Sequence, residues 1–200
     1  MSKNRVVPLG LLLGAILLGV VAVFAIALPK AHGTGDIALP DTLPGGYTAT
    51  DLASAYKEVP ASAKSQVSAY LKEEQKSVVY GNKALKAAYG GGQTRTYVRL
   101  TKTEQASIVV QAFHSDGGAF APLAIQDPSN DAQTGGGDHL LSADGVVCIQ
   151  HVAASQTGSV STAYYECQQS KDGLTVQVTS QSKSLSEAVK TTNTVYKAIA

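Results

Sequence analysis

The segment Val146–Gln169, VVCIQHVAASQTGSVSTAYYECQQ, contains the only two cysteines of the 200-residue chain. Apolar and polar residues alternate on both sides of Gly158, which is typical of two β-strands joined by a tight turn. A two-residue turn at Thr157-Gly158 pairs Cys148 directly with Cys167. Because directly opposed residues of antiparallel strands lie within disulfide range, we predict a hairpin closed by a disulfide.

A second turn extends this hairpin into a sheet. Asp172-Gly173 is a dipeptide that two-residue hairpin turns favour, and it places Val178 beside Cys167. On this register one face carries Val146, Cys148, Val152, Cys167, Val176 and Val178. We interpret that face as the core side of the sheet, covered by a C-terminal helix.

Helical periodicity flanks the strands. Ser184 and Glu187 have the spacing of a capping box, and an apolar stripe follows them to Ile199. A longer helical pattern begins near Pro60 and ends at the glycines after Tyr89. The stretch TATD, residues 48–51, has the same cap spacing and predicts an earlier helix.

The order of these elements indicates an α+β fold. Two more strands, Thr94–Leu100 and Ala106–Phe113, precede a polar, glycine-rich connection over residues 115–143. We therefore predict helices packed on a four- to five-stranded antiparallel sheet, with a C-terminal helix, in a domain over residues 48–200.

The N-terminal region predicts a membrane anchor. Residues 6–28 contain no charged or amide side chain and are long enough to cross a bilayer as a helix. Lys3 and Arg5 precede this segment, so residues 1–5 are expected in the cytoplasm and the C-terminal domain outside the cell. Residues 29–47, rich in proline and glycine, predict a flexible tether. The alternative is a signal peptide that is cleaved near Ala27, which would give a secreted protein.

Charge excludes one class of function. Lys3 and Arg5 are the only charged residues before position 29. Of the 16 basic residues, 14 therefore lie in the rest of the chain, together with all 15 acidic residues. A net charge near zero is not that of a basic nucleic-acid-binding protein, and we predict no nucleic-acid partner.

Two charged regions are candidate binding surfaces. No lysine or arginine lies between Thr103 and Ser170, and the long loop there predicts an acidic binding surface formed by Asp116, Asp127, Asp131 and Asp138. A helical projection places Lys64, Lys72, Lys76 and Lys83 on one side of the long helix. This basic face would suit anionic headgroups or cell-wall polymers. The alternative for both regions is an ordinary solvated surface.

Catalytic motifs do not emerge from the sequence. It has no GxSxG nucleophile motif and no phosphate-binding loop. His114, His139 and His151 have no spacing typical of a metal site. We therefore predict no catalytic residue, no metal site and no cofactor.

The stretch YYECQQSKDGLTVQV, residues 164–178, resembles a broad group of uncharacterised membrane-anchored or secreted actinobacterial proteins. The resemblance implies an envelope location, and no activity comes with it. We predict a non-catalytic binding or accessory domain at the cell envelope, with an envelope protein or polymer as partner. An envelope hydrolase with dispersed catalytic residues is the alternative.

Overall fold

The computed structural model describes residues 37–101, 105–155, 158–182 and 184–200. Their eight strands are β1 Thr42–Leu43, β2 Tyr47–Ala49, β3 Gly92–Leu100, β4 Gln105–His114, β5 Gly136–Ala143, β6 Val146–Ala154, β7 Val160–Lys171 and β8 Leu174–Ser180. Their α-helices are α1 Lys64–Tyr89, α2 Asp131–Thr134 and α3 Leu185–Ile199. Short 3-10 turns occupy Ala53–Tyr56, Ala61–Ala63 and Pro128–Asn130.

All eight strands form one antiparallel sheet in the order β1-β2-β3-β4-β8-β7-β6-β5. The predicted α+β class, the antiparallel sheet and the C-terminal helix are confirmed. The predicted four to five strands are too few, because β1, β2 and β5 are strands that the prediction does not include.

Cys148 and Cys167 are paired across β6 and β7 and form the predicted disulfide. The turn prediction itself is wrong, because Ala154 pairs with Val160 and leaves five residues between the strands. A register shift after His151 then restores the pairing of the two cysteines. Their Cα atoms lie 4.0 Å apart, close to the spacing of a pair that does not exchange backbone hydrogen bonds.

The turn between β7 and β8 has the predicted form. Asp172 and Gly173 have φ angles of 53° and 78°, as a type I′ turn requires, and Cys167 faces Val178. Asp144 and Gly145 repeat this turn with φ angles of 51° and 76°. They join β5 to β6, so the C-terminal part of the predicted loop over residues 115–143 is strand rather than loop.

We call the face that carries the two cysteines the inner face. Val110, Val178, Cys167 and Cys148 form one row across it, and each is almost inaccessible to solvent. Helix α3 covers this face through its predicted apolar stripe, with Ala188, Val189, Thr192, Val195 and Tyr196 buried. The predicted core residue Val152 is only half-buried, because it lies beyond the register shift.

Residues 48–51 do not begin a helix. Thr48 and Ala49 belong to β2 and pair with Val98 and Tyr97 of β3. The next residue, Thr50, donates its hydroxyl to Glu74 of α1 at 2.8 Å. Pairing with β3 thus outweighs the local cap preference of this segment.

The predicted tether over residues 29–47 enters the described residues at position 37. From there it packs onto the domain, since Leu39 and Leu43 are buried in the core beside Tyr97. The hydroxyl of Tyr97 donates to the carbonyl of Pro40 at 2.8 Å.

Helix α1 ends at the predicted glycines, where Gly90 has a φ of 75°, but it begins at Lys64, after the 3-10 turn Ala61–Ala63 rather than at Pro60. It packs on β3 from the side opposite the cysteines, through half-buried Val67, Leu71, Val78 and Leu85. The predicted membrane span over residues 6–28 lies outside the described residues. Within the described ranges, no helix is both long and apolar enough to cross a bilayer.

Candidate functional site

The sheet face opposite the cysteines, which we call the outer face, carries the candidate site. Helix α1 covers this face only over β3 and the neighbouring part of β4, whereas α3 lies on the inner face. Over β7 and β8 the outer face presents half-exposed polar side chains, among them Glu166, Gln168 and Gln177. Alternation along each strand produces this surface, because every second residue points away from the core.

A row of amide side chains crosses the outer face. Gln111, Gln177 and Gln168 are directly opposed on the adjacent strands β4, β8 and β7. The side-chain nitrogen of Gln177 donates to the oxygen of Gln168 at 2.9 Å. Amides offer both donors and acceptors without charge, so this row can bind a neutral polar ligand.

A cavity of about 270 Å³ lies on this part of the face. Its floor includes Val109, Gln111, Gln177 and Thr179, and Glu166 adds a carboxylate. The aromatic ring of Phe120 lines it from the connection between β4 and β5. This lining offers a small ligand an aromatic ring, amide donors and acceptors, and one carboxylate.

The connection that carries Phe120 is attached at both ends of the outer face. Near its start, the backbone nitrogen of Ser115 donates to the carbonyl of Gly173 at 3.0 Å. Further along, the nitrogen of Gln126 donates to the carbonyl of Asp138 at 3.1 Å, on the edge strand β5. The connection therefore runs from the β7–β8 turn to the edge of the sheet, and Phe120 lies between these two attachments.

Beside the cavity, an acidic and aromatic cluster surrounds His151. Its Nδ1 lies 2.8 Å from the Asp138 carboxylate, and its ring stacks on Tyr164 with centroids 4.2 Å apart. The buried Nε2 atom has no hydrogen-bond partner, and the nearest Glu166 oxygen lies 3.7 Å away. Desolvation, followed by the charges of Glu166 and Asp138, raises the pKa of Tyr164 above its usual value.

The four aspartates of the predicted acidic loop have different surroundings. Asp116 is exposed near the start of the connection. Asp127 accepts hydrogen bonds from the nitrogen and hydroxyl of Ser129, which lower its pKa. Asp131 lies 3.0 Å from Nε2 of buried His139, and Asp138 pairs with His151. Two of the four carboxylates thus hold histidines in place.

His114 lies far from the other two histidines, whereas His139 and His151 are on the adjacent strands β5 and β6. His114 ends β4 and approaches Gly91, and β5 is four strands away from β4 in the sheet. At about 4.8 Å per strand, this separation is close to 20 Å. In the described ranges, no group of three histidine, cysteine or acidic residues is arranged to bind a metal ion.

The lysines of the predicted basic face are exposed on α1. Lys72, Lys76 and Lys83 lie together around Val79 and Tyr80, whereas Lys64 is at the start of the helix. Lys76 forms an ion pair with Glu73 at 2.8 Å.

Sequence reasoning missed the residues that line the cavity. The alternation of side chains along each strand was the available signal. The positions that alternate with the core residues of β4, β7 and β8 include Gln111, Glu166, Gln168 and Gln177. Phe120 had no such signal, since it lies in an irregular segment whose course depends on tertiary contacts.

Comparison with known proteins adds no family assignment. The resemblance of residues 164–178 to actinobacterial envelope proteins stays a prediction. The chain matches no protein-family model, no curated protein and no solved structure.

Proposed function

We propose that this protein is a single-pass, membrane-anchored extracytoplasmic domain that binds an envelope component on its outer face, without catalysis. The cavity between Phe120 and the glutamine row carries this proposal. Its polar groups are mostly neutral amides and hydroxyls, so the ligand is a neutral, hydroxyl- or amide-bearing segment of an envelope polymer. The Phe120 ring would pack against the apolar side of that segment, and Glu166 would accept hydrogen bonds from it.

The disulfide supports the extracytoplasmic location. Cys148 and Cys167 are bonded, and the described residues contain no free cysteine. Disulfides of this structural kind persist mainly in oxidising compartments outside the cytosol. The apolar segment over residues 6–28 supports anchoring, and cleavage near Ala27 would give a secreted form of the same domain.

Ligand binding tests the proposed site. The full-length protein is titrated with soluble saccharide and peptide fragments released from isolated cell envelope, and binding is followed by ligand-observed NMR. We expect Phe120→Ala and Gln177→Ala each to weaken binding by about tenfold, as loss of a packed ring or a hydrogen bond of about 1.4 kcal/mol would. Leu123→Ala is the matched control, because Leu123 belongs to the same connection but is fully exposed. Unchanged binding by both cavity variants would contradict the site.

Intact mass tests the anchor. Protein extracted from its native membrane is alkylated before and after reduction and weighed. We expect the full 20.6 kDa chain, with no alkylation until the disulfide is reduced. The lower mass of a chain that begins near residue 28 would identify the secreted form instead.

An envelope hydrolase is the second candidate, and the Asp138–His151 pair favours it. A carboxylate 2.8 Å from Nδ1 would orient the ring so that Nε2, beside Glu166, could move a proton. Hydrolysis of envelope fragments that His151→Gln abolishes, with the disulfide and folding intact, would support this candidate over simple binding.

A further inference from the structure

Helix α1 exposes two large side chains at its centre. Val79 is 70% exposed and Tyr80 is 74% exposed, although both lie in the middle of a 26-residue helix. They point away from the face that packs on β3 through Val78 and Leu85. Nothing in the described ranges covers them, so the packing of the domain does not explain their presence.

Lysines surround this apolar centre. Lys72, Lys76 and Lys83 line the same shallow depression as Val79 and Tyr80. Of the two acidic residues of the helix, Glu74 turns inward and accepts a hydrogen bond from Thr50. Only Glu73 lies on the exposed side, where it pairs with Lys76. The surface is therefore apolar at the centre and positively charged around it.

We propose that this face of α1 docks on an anionic lipid surface. An interfacial helix places apolar side chains at the boundary between headgroups and acyl chains, while lysines reach the phosphates. Tyr80 suits this boundary, because its ring is apolar and its hydroxyl can stay among the headgroups.

An anionic lipid surface matches both the lysines, through its charge, and the apolar centre, through its acyl chains. A soluble polyanion would satisfy the lysines but would leave Val79 and Tyr80 in water. A neutral apolar partner would cover those two side chains but would offer no anionic group to the lysines around them. An anionic bilayer meets both requirements, since each lysine near such a surface adds attraction that salt screens.

The absence of tryptophan from the chain allows a direct test. Tyr80→Trp introduces a single tryptophan at the proposed contact. The full-length variant is combined with vesicles of phosphatidylcholine alone, or of phosphatidylcholine with phosphatidylglycerol. Tryptophan emission and its quenching by brominated acyl chains are then recorded. Tyr70→Trp is the matched control, because Tyr70 is 48% exposed on the same helix and packs edge-on against Tyr56 instead.

We expect a blue shift and acyl-chain quenching for the tryptophan at position 80 with phosphatidylglycerol, and neither with phosphatidylcholine alone. About 1 M salt should remove most of the shift, because the Debye length falls to about 3 Å. Adding Lys72→Gln, Lys76→Gln and Lys83→Gln should abolish it, with circular dichroism confirming the fold.

The same emission from position 80 in both vesicles, or equal quenching at position 70, would overturn the proposal. Either result would indicate that the exposed face of α1 binds a protein or a polymer rather than lipid. Because the readout is local to α1, it is independent of the ligand proposed for the outer face of the sheet.

Discussion

Arg95 and Asp51, 44 residues apart in sequence, form a two-point ion pair. Nε of Arg95 lies 2.8 Å from Oδ1 of Asp51, and Nη2 lies 3.0 Å from Oδ2. The two side chains are only 12% and 15% exposed. Arg95 also donates to the carbonyl of Leu39, so one guanidinium joins β3 to the turn after β2 and to the segment before β1.

Loss of this guanidinium should destabilise the domain. We expect Arg95→Ala to lower the free energy of unfolding by about 3 kcal/mol, because it leaves a largely buried carboxylate without its partner. Asp41→Asn is the control. Its side chain is 72% exposed, and an exposed ion pair contributes about 0.5 kcal/mol or less. Denaturant unfolding monitored by circular dichroism measures both, and equal losses would show that the burial of the pair does not matter.

Removing the disulfide should lower the free energy of unfolding by a similar amount. The bond joins residues separated by 19 positions, and closing a loop of that size contributes about 3 kcal/mol on the chain-entropy account. We expect the Cys148→Ala, Cys167→Ala double variant to unfold at correspondingly lower guanidinium concentration. Wild-type protein in reductant should match it, and an unshifted midpoint in both would contradict a stabilising role.

Gly136, where the chain enters β5, should not tolerate a side chain. Its φ is 117°, and an added Cβ would collide with the carbonyl group of Val152 on β6. We expect Gly136→Ala to cost about 2 kcal/mol and to disturb the pairing that positions Asp138 and His139. Gly118→Ala is the matched control, since a Cβ there meets no atom within 4 Å. Thermal unfolding distinguishes the two, and a neutral Gly136→Ala would refute the close approach of β5 to β6.

Alkaline pH should weaken the domain through Tyr97. Desolvation raises the pKa of this fully buried tyrosine to about 12, outweighing the opposing effect of Arg95. The pKa of Tyr97 in the folded state lies above the usual value near 10. The stability that its protonated hydroxyl contributes is therefore complete below pH 10 and is lost as the pH rises toward 12.

We expect this loss to reach about 2 kcal/mol in the wild type. Tyr97→Phe should be less stable at pH 8, because the hydrogen bond to Pro40 is gone, but should lose less stability from pH 8 to pH 11. Urea unfolding of both proteins at pH 8 and pH 11 measures how much unfolding free energy each one loses between the two pH values. Parallel behaviour of the two proteins would show that Tyr97 does not titrate in this way.

The correct predictions came from local signals. Asp172-Gly173 adopts a type I′ turn because both of its residues tolerate positive φ, and that turn alone sets the partner of Cys167. The same reasoning would have found β5, since Asp144-Gly145 repeats the turn directly before β6. The pattern of α3 was equally readable, because Ser184 caps it and its buried residues recur at helical spacing.

The cysteine pairing shows how a local argument can succeed despite an error. The turn near Gly158 is longer than predicted, and the shift after His151 compensates for it. Bulges depend on how both strands pack, so the number of turn residues could not reveal this one.

The sequence by itself determined the periodicities, the type I′ turn and the oxidisable cysteine pair, because these depend on neighbouring residues or on chemistry that each residue carries. Only the tertiary structure decided which polar groups meet. Asp131, predicted as part of an acidic loop, lies against His139, and Thr48, predicted as a helix cap, belongs to β2 and pairs with Val98 of β3. The cavity under Phe120 likewise exists only once β4, β8 and β7 are adjacent and the connection crosses them. Contacts between residues distant in the chain depend on the packing of the whole sheet, and local propensity does not encode that packing.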